Sequence, residues 1–225
     1  MSVIVREEPL FKRLLNSPKL FLYQSELRDI LSQEQQKRDA FYQWITEDTR
    51  TEFINGERVM QSPAKHRHTM ASVNLTALLG TYVDIHEMGV VGAETMLVTL
   101  TRNDYLPDIC FFRKEISVEI ISDQMKYPAP DFIVEILSPS TEHIDRGTKF
   151  EDYAAHGVEE YWLVNPEERT VEQYRLAQNA YHLQATVTEG EISSIAVDGF
   201  TIPVEAIFDK QAKNRVLGLF FTNVA

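Results

Sequence analysis

The 225-residue chain is 44% hydrophobic and 25% charged, with nine Gly and nine Pro, which suits one folded domain with an appendage and excludes disordered, collagen-like or low-complexity character. Its 22 basic and 34 acidic residues give a net charge of −12, which argues against non-specific wrapping of DNA, since that affinity comes from neutralising phosphates. A single cysteine, Cys110, excludes an intrachain disulfide and a multi-cysteine zinc site; no apolar run nears the ~20 residues of a membrane span and MSVIVREEPLFKR is no signal peptide, so a cytoplasmic protein without a membrane partner is expected.

From Pro9 to about Trp44 the apolar residues Leu10, Leu14, Leu15, Leu20, Leu22, Leu27, Ile30 and Leu31 recur at helical spacing among Glu, Gln, Lys and Arg, predicting an N-terminal helical arm over residues 1–48. It is expected to dock on the main domain, residues 49–225, or on a partner subunit. TEFINGERVMQSP then reads as two short strands around Asn55-Gly56, a dipeptide whose residues both tolerate positive φ. A helix is predicted from about Thr69 to Tyr82, and short strands through Met96–Leu100. The clearest strands are Leu106–Phe112 and Asp131–Leu137, rich in β-branched and aromatic residues. After a Ser138–Thr141 loop, the stretch from Asp145 reads as one helix stopped by Gly157. Strands at Glu160–Val164 and Thr170–Leu176 follow, with further strands from Ala180 to Ile207. The fold class is α/β or α+β: a mixed sheet flanked by helices.

Two acids stand out because their neighbours are apolar. Asp108 opens a strand of Ile, Cys and Phe, and Glu135 interrupts FIV-E-IL in an expected central strand. Burying a carboxylate costs several kcal/mol unless a metal or partner compensates. A buried salt bridge or a strand edge facing water is one explanation. The other is that Asp108 and Glu135 meet across adjacent strands at ~5 Å, close enough to share an ion; oxygen-only ligands suit Mg²⁺ or Mn²⁺ rather than zinc. Asp131 heads the Glu135 strand, but four residues at ~3.3 Å each put it ~13 Å away, so a strand-start or supporting role is expected, with a direct one the alternative.

Beyond Glu135, Asp145, Lys149 and Tyr153 stand at i, i+4 and i+8 on one helical stripe. Asp145 and Lys149 are either a surface pair worth a few tenths of a kcal/mol, or neighbours of the ion, where the lysine would polarise a phosphate or orient the attacking water. His66 and His68 form an H-x-H pair that would bind a metal only on a strand, with no third soft ligand nearby; capping the helix, or a hydrogen bond near the site, is the expected role of His68. Tyr161-Trp162 fits base stacking or, as the start of EYWLV, core.

In order, TEFINGERVMQSP, His68, LPDI, PDFIVEILSPST and DRGTKFEDYAAHGVEEYWLVNPEERTVEQYRL resemble the Uma2 (DUF820) family of the PD-(D/E)XK, restriction-endonuclease-like superfamily, from about Thr51 to Phe208. The resemblance implies a restriction-endonuclease-like core with the arm at its start and C-terminal strands, and a Mg²⁺- or Mn²⁺-dependent endonuclease acting on DNA; nucleases of the superfamily often pair to cut two strands, so a homodimer is among the expectations. Asp108 matches the superfamily aspartate and Glu135 the acid of the (D/E)XK strand, the two metal ligands. The motif lysine should stand two residues later, at Leu137; the resemblance implies that it has moved to Lys149 on the next helix. Glu52 resembles the family's early acidic residue and completes the catalytic set. The competing expectation is a non-catalytic binding or assembly module on the same scaffold, with the arm as its interaction element.

Overall fold

Helical spacing at the start of the chain resolves into α1 (Pro9–Leu15) and α2 (Leu20–Trp44) in the computed structural model, which describes residues 9–222. The first eight residues of the expected arm, and residues 223–225, lie outside the described residues. Pro18, which has no N–H to donate, stands in the turn between the two helices. α1 buries no residue, and α2 buries only Arg38 and Phe41 near its C-terminal end, so the arm docks through its last turns.

That dock is a desolvated ion pair. Arg38 donates from Nε and Nη2 to the two oxygens of Asp104 at 2.7 and 2.8 Å, and to the carbonyls of Leu100, Thr101 and Asn103. Tyr42 adds a bond to Asp104 at 2.7 Å. Beside it, Phe41 stacks on Phe53, with ring centroids 5.5 Å apart.

Asp104 belongs to a small sheet. The predicted hairpin forms as β1 (Thr51–Ile54) and β2 (Glu57–Met60), and Asn55 and Gly56 take φ of 50° and 83°, as a tight turn of that dipeptide requires. A Cβ on Gly56 would also approach the Glu34 side chain to 2.8 Å. With β4 (Leu97–Thr99), β5 (Asp104–Tyr105) and β7 (Lys126–Tyr127), the sheet order is β2-β1-β5-β4-β7.

The main sheet has six strands: β3 (Gly89–Ala93), β6 (Ile109–Arg113), β8 (Phe132–Ile136), β9 (Glu160–Asn165), β10 (Thr170–Ala177) and β11 (Ala180–Val187), in the order β11-β10-β9-β8-β6-β3. Only the β8–β9 pair of this sheet is parallel: the short α4 (Lys114–Ser117) follows β6 without a crossover, whereas β8 reaches β9 through α5 (Glu142–Asp145) and α6 (Thr148–Ala155), and a parallel neighbour needs such a crossover. Every residue of β8 is buried. Side chains alternate across it: Phe132, Val134 and Ile136 pack with α3 (His66–Ile85), while Ile133 packs with Tyr153 of α6. Glu135 shares the second face.

Three expectations are corrected. The first core helix, α3, runs from His66 to Ile85 rather than from Thr69 to Tyr82, because its exposed first turn needs no apolar residue. The helix expected from Asp145 is two, α5 and α6, separated at Arg146-Gly147; Gly147 sits where a Cβ would meet the His143 carbonyl oxygen at 2.8 Å. Gly157 does end α6, at φ 83°. The strands expected up to Ile207 stop at β12 (Glu191–Ser193) and β13 (Thr201–Pro203), and α7 (Glu205–Phe208) and α8 (Lys210–Thr222) follow. Pro203 ends the ladder, and Asn74 of α3 donates to the Ile207 carbonyl at 3.1 Å, holding the helical tail on the core.

Replacing Arg38 tests the dock. Arg38→Met should lower stability by about 3 kcal/mol or more in urea unfolding at neutral pH, since it strands Asp104 as an uncompensated buried charge. A loss below about 1 kcal/mol, the size of an exposed pair, would contradict the dock as described.

Candidate active site

The β6–β8 register pairs Ile109 with Val134. One step outward, Asp108 therefore lies opposite Glu135, at the end of the sheet where β8 runs into the α5–α6 crossover. Asp108 is held on both oxygens: Oδ2 accepts the Ile136 N–H at 2.6 Å, and Oδ1 lies 3.1 Å from His68 Nε2. Glu135 Oε1 accepts from Lys149 Nζ at 3.0 Å and from the Tyr153 hydroxyl at 2.9 Å.

Lys149 is the centre of the cluster. Its ammonium also lies 3.1 Å from Glu52 and 3.4 Å from Asp145, and the residue is only 5% exposed. Four elements deliver the carboxylates: β1 carries Glu52, the approach to β6 Asp108, β8 Glu135 and α5 Asp145. Glu52 Oε1 accepts the Leu106 N–H at 2.9 Å. Asn103 ties the small sheet to the lysine helix: it accepts the Asn55 N–H at 2.7 Å and donates to Asp152 of α6 at 2.7 Å. The position of β1 relative to α6, and so of Glu52 relative to Lys149, is thus fixed by hydrogen bonds.

Charge is unevenly balanced here. Burial pushes the Glu135 carboxyl well above the usual range; Lys149 opposes the shift, and Asp145, Asp108 and Glu52 add to it. Asp145 is raised as well, by burial and then by Asp108 and Glu52 against the pull of Lys149. For Lys149, burial works against the ammonium, but Glu135, Glu52, Asp145 and Asp108 outweigh it and hold its pKa well above the ordinary value. His68 is raised too: the bond to Asp108 and the charges of Asp108, Glu94 and Asp145 overcome burial.

The cluster floors a cleft of about 760 Å³. Exposed Arg50, Lys65 and Arg67 stand on its rim, with the loop Ser138–Thr141 at one side. The rim also carries Glu94, Glu142 and Glu167; Arg50 pairs with Glu94 at 3.1 Å and Arg67 with Glu167 at 2.8 Å, so the cleft's surplus of charge is the negative charge of its floor, which suits a cation. In donor chemistry the floor fits a hard divalent ion such as Mg²⁺ or Mn²⁺, which take carboxylate oxygens. Among the described residues, however, no three His, Cys, Asp or Glu side chains group as a ready cage; Lys149 stands between them.

All four sequence-predicted residues, Asp108, Glu135, Lys149 and Glu52, line this cleft. Asp145 also lines it, although its spacing to Lys149 alone reads equally as a surface pair. Both residues are buried, Asp145 at the end of α5 and Lys149 at the start of α6, so the single helical stripe expected from their spacing is replaced by two short helices that both face the site. Asp131 is elsewhere: it accepts from the Arg113 N–H at 2.8 Å and guanidinium at 3.0 Å, anchoring the start of the strand. His66 and His68 lie on a helix rather than a strand, two residues apart and so on different sides; His66 is exposed and His68 meets Asp108. Tyr161 and Trp162 are fully buried core.

The family model for Uma2, described as "Putative restriction endonuclease", matches residues 38–205. This chain belongs to the Uma2 family. It is 24% identical over 176 residues to the uncharacterized protein slr1290 of Synechocystis sp., covering 76% of this chain and 90% of that one. A crystal structure described as a "putative nuclease belonging to DUF820" from Anabaena variabilis has the same fold, with a TM-score of 0.65 and 19% identity over 76% of this chain and 96% of that one. The type IIG restriction endonuclease BpuSI overlaps 74% of this chain and 18% of its own at 11% identity and a TM-score of 0.37, too loose a match to carry any argument. The Uma2 match stops short of the arm's exposed turns, and among the described residues no helix is long and apolar enough to cross a membrane.

The charge balance makes a pH-dependent prediction for Lys149→Met. Glu135 and Asp145 already have raised carboxyl pKa values in the folded protein; without the ammonium they rise further. A carboxyl raised on folding contributes stability below its unfolded pKa and loses it as pH rises through its folded one. The variant's deficit in melting temperature against wild type should therefore be large at pH 7.5 and shrink toward pH 5. A deficit that does not change with pH would contradict the charge balance.

Proposed function

We propose that this Uma2 protein is a divalent-cation-dependent endonuclease that hydrolyses phosphodiester bonds in DNA. One observation carries the reading: the carboxylates of Glu52, Glu135 and Asp145 converge on one buried lysine, with Asp108 beside them, at the floor of an open cleft. A purely structural ion pair balances its charges. This floor holds four acids against Lys149 and His68, a surplus of negative charge that a divalent cation would offset.

In this reading Asp108 and Glu135 hold the cation, with Glu52 completing the ligand shell or orienting water. When bound, the cation would polarise the scissile phosphate and lower the pKa of a water molecule. His68 and the Ile136 N–H hold Asp108 from opposite oxygens, so its orientation is set before substrate arrives. Lys149 gives up part of its contact with the acids and turns its ammonium to the phosphate oxygens on which charge develops. Asp145, the i,i+4 partner, keeps that ammonium in the site. Lys65, together with Arg50 and Arg67 once they exchange their partners Glu94 and Glu167, takes flanking phosphates, contacts that position a backbone without reading its sequence.

A nicking assay on supercoiled plasmid with Mg²⁺ or Mn²⁺ tests the reading. Wild type should nick, Asp108→Asn should not, and Lys149→Ala, assayed below its melting temperature, should be slower by ~100-fold or more, the loss typical of one charge-stabilising donor. A Lys149→Ala rate within a few-fold of wild type would remove the lysine from the mechanism. Failure of wild type to cleave DNA would contradict the proposal and favour a binding module.

Metal binding is checked without activity. Mg²⁺ or Mn²⁺ should raise the melting temperature of wild type, because a ligand of the native state stabilises it by mass action, and the gain should vanish in Asp108→Asn. An equal gain in both proteins would refute the ligand assignment.

A further inference from the structure

The arm carries an apolar face that the described residues of the domain leave exposed. On α2, Leu20, Tyr23, Leu27, Ile30 and Leu31 recur at steps of three and four residues, the spacing of an a/d seam widened by one flanking position. Farther along the same stripe, Arg38 and Phe41 are buried against the domain. One helical face is thus docked at its C-terminal end and runs on, uncovered, for three turns. Leu27, Ile30 and Leu31 are 51%, 44% and 52% exposed. α1, which contacts α2, adds exposed Leu10 and Leu15.

A monomer seldom leaves more than a few hundred Å² of contiguous apolar surface in water. Seven apolar side chains of the arm, Leu10, Leu15, Leu20, Tyr23, Leu27, Ile30 and Leu31, are each between 36% and 64% exposed, and a partner that brings ~800 Å² to a standard interface would cover them. The Uma2 match begins at residue 38, within the docked turns, which start at Glu34 with its two bonds from Arg102 at 2.8 and 2.7 Å, so the uncovered turns before them are an addition to the shared fold.

We propose that this face is a self-association surface, on which the α2 helix of a second copy packs seam to seam. An a/d seam is matched by another of the same spacing, and a two-fold contact buries the same apolar stripe from both subunits. A membrane fits less well. The polar residues beside the stripe, Glu26, Arg28 and Asp29, are mixed in sign, unlike the Lys/Arg-rich polar face of a membrane-surface helix, and the whole chain carries −12. The surface lies apart from the cleft, so the pairing does not depend on the nuclease reading.

Sedimentation velocity of the full chain, from about 1 to 100 µM, the range that resolves a micromolar dimer, tests the proposal. Wild type should reach twice the 25.9 kDa chain mass. The double variant Leu27→Asp/Ile30→Asp should stay monomeric throughout, with its dimer affinity reduced ~100-fold or more and the melting temperature of the domain unchanged. A second variant, Leu31→Glu, exposed and outside the docked turns, should weaken pairing in the same direction. A monomeric wild type at the highest concentration would overturn the proposal. So would a dimer untouched by all three substitutions, or a monomer that floats with vesicles of phosphatidylcholine and phosphatidylglycerol.

Discussion

One buried ammonium holds the centre of this protein. Lys149 is in contact with Glu135, Glu52 and Asp145, with Asp108 acting on it at longer range. Without the lysine the acids would repel one another in a desolvated space, and each would have to take up a proton to remain buried. Without the acids the lysine would be an unpaired charge in the core. Every element that reaches the cleft floor is constrained by this mutual need, and the sheet and helices around it deliver opposite charges to one point.

The delivery is achieved by register and by breaks. Antiparallel pairing of β6 with β8 puts Asp108 opposite Glu135, and a slip of one residue would turn both to the other face. The parallel β8–β9 crossover brings α5 and α6 over the same end of the sheet, and the interruption at Gly147 lets Asp145 and Lys149 approach from two short helices. Arg38 works from the far side: its pair with Asp104 fixes the strand that leads to Leu106, whose N–H holds Glu52. Buried carboxylates are not functional in themselves. Glu160 is fully buried, yet Trp162, Gln173, Ser194 and the backbone N–H groups of Ile195 and Ala196 satisfy it; it has five donors to itself, whereas Glu52, Glu135 and Asp145 share one lysine.

Part of this was legible in the sequence. Asp108 and Glu135 show themselves because an acid in an apolar strand has no local reason to be there, and the Asn55-Gly56 hairpin follows from backbone sterics alone. Lys149 shows itself through helical spacing together with the family resemblance. Asp145 sits on the same stripe but reads locally as the partner of an exposed lysine; only the packing of two helices against the sheet decides between surface and site. Arg38 is hidden by its own surroundings, one charge among many on a polar helix, with its partner 66 residues away. Glu160 is hidden for the same reason, since four of its five donors come from residues 173 and 194–196. The C-terminal helix is missed because Val204, Ala206 and Ile207 continue the apolar spacing of the preceding strands.

The proposed function requires the acids of the cleft floor to take a divalent cation in partial exchange for the lysine ammonium. Crystals grown with Mn²⁺, with anomalous diffraction recorded at the manganese edge, put this exchange to the test. One anomalous peak is expected, bounded by the carboxylates of Asp108 and Glu135, with Lys149 shifted from Glu135 toward the cleft and still in contact with Asp145. No peak at saturating Mn²⁺, with Lys149 still bonded to Glu135 and Glu52, would contradict it.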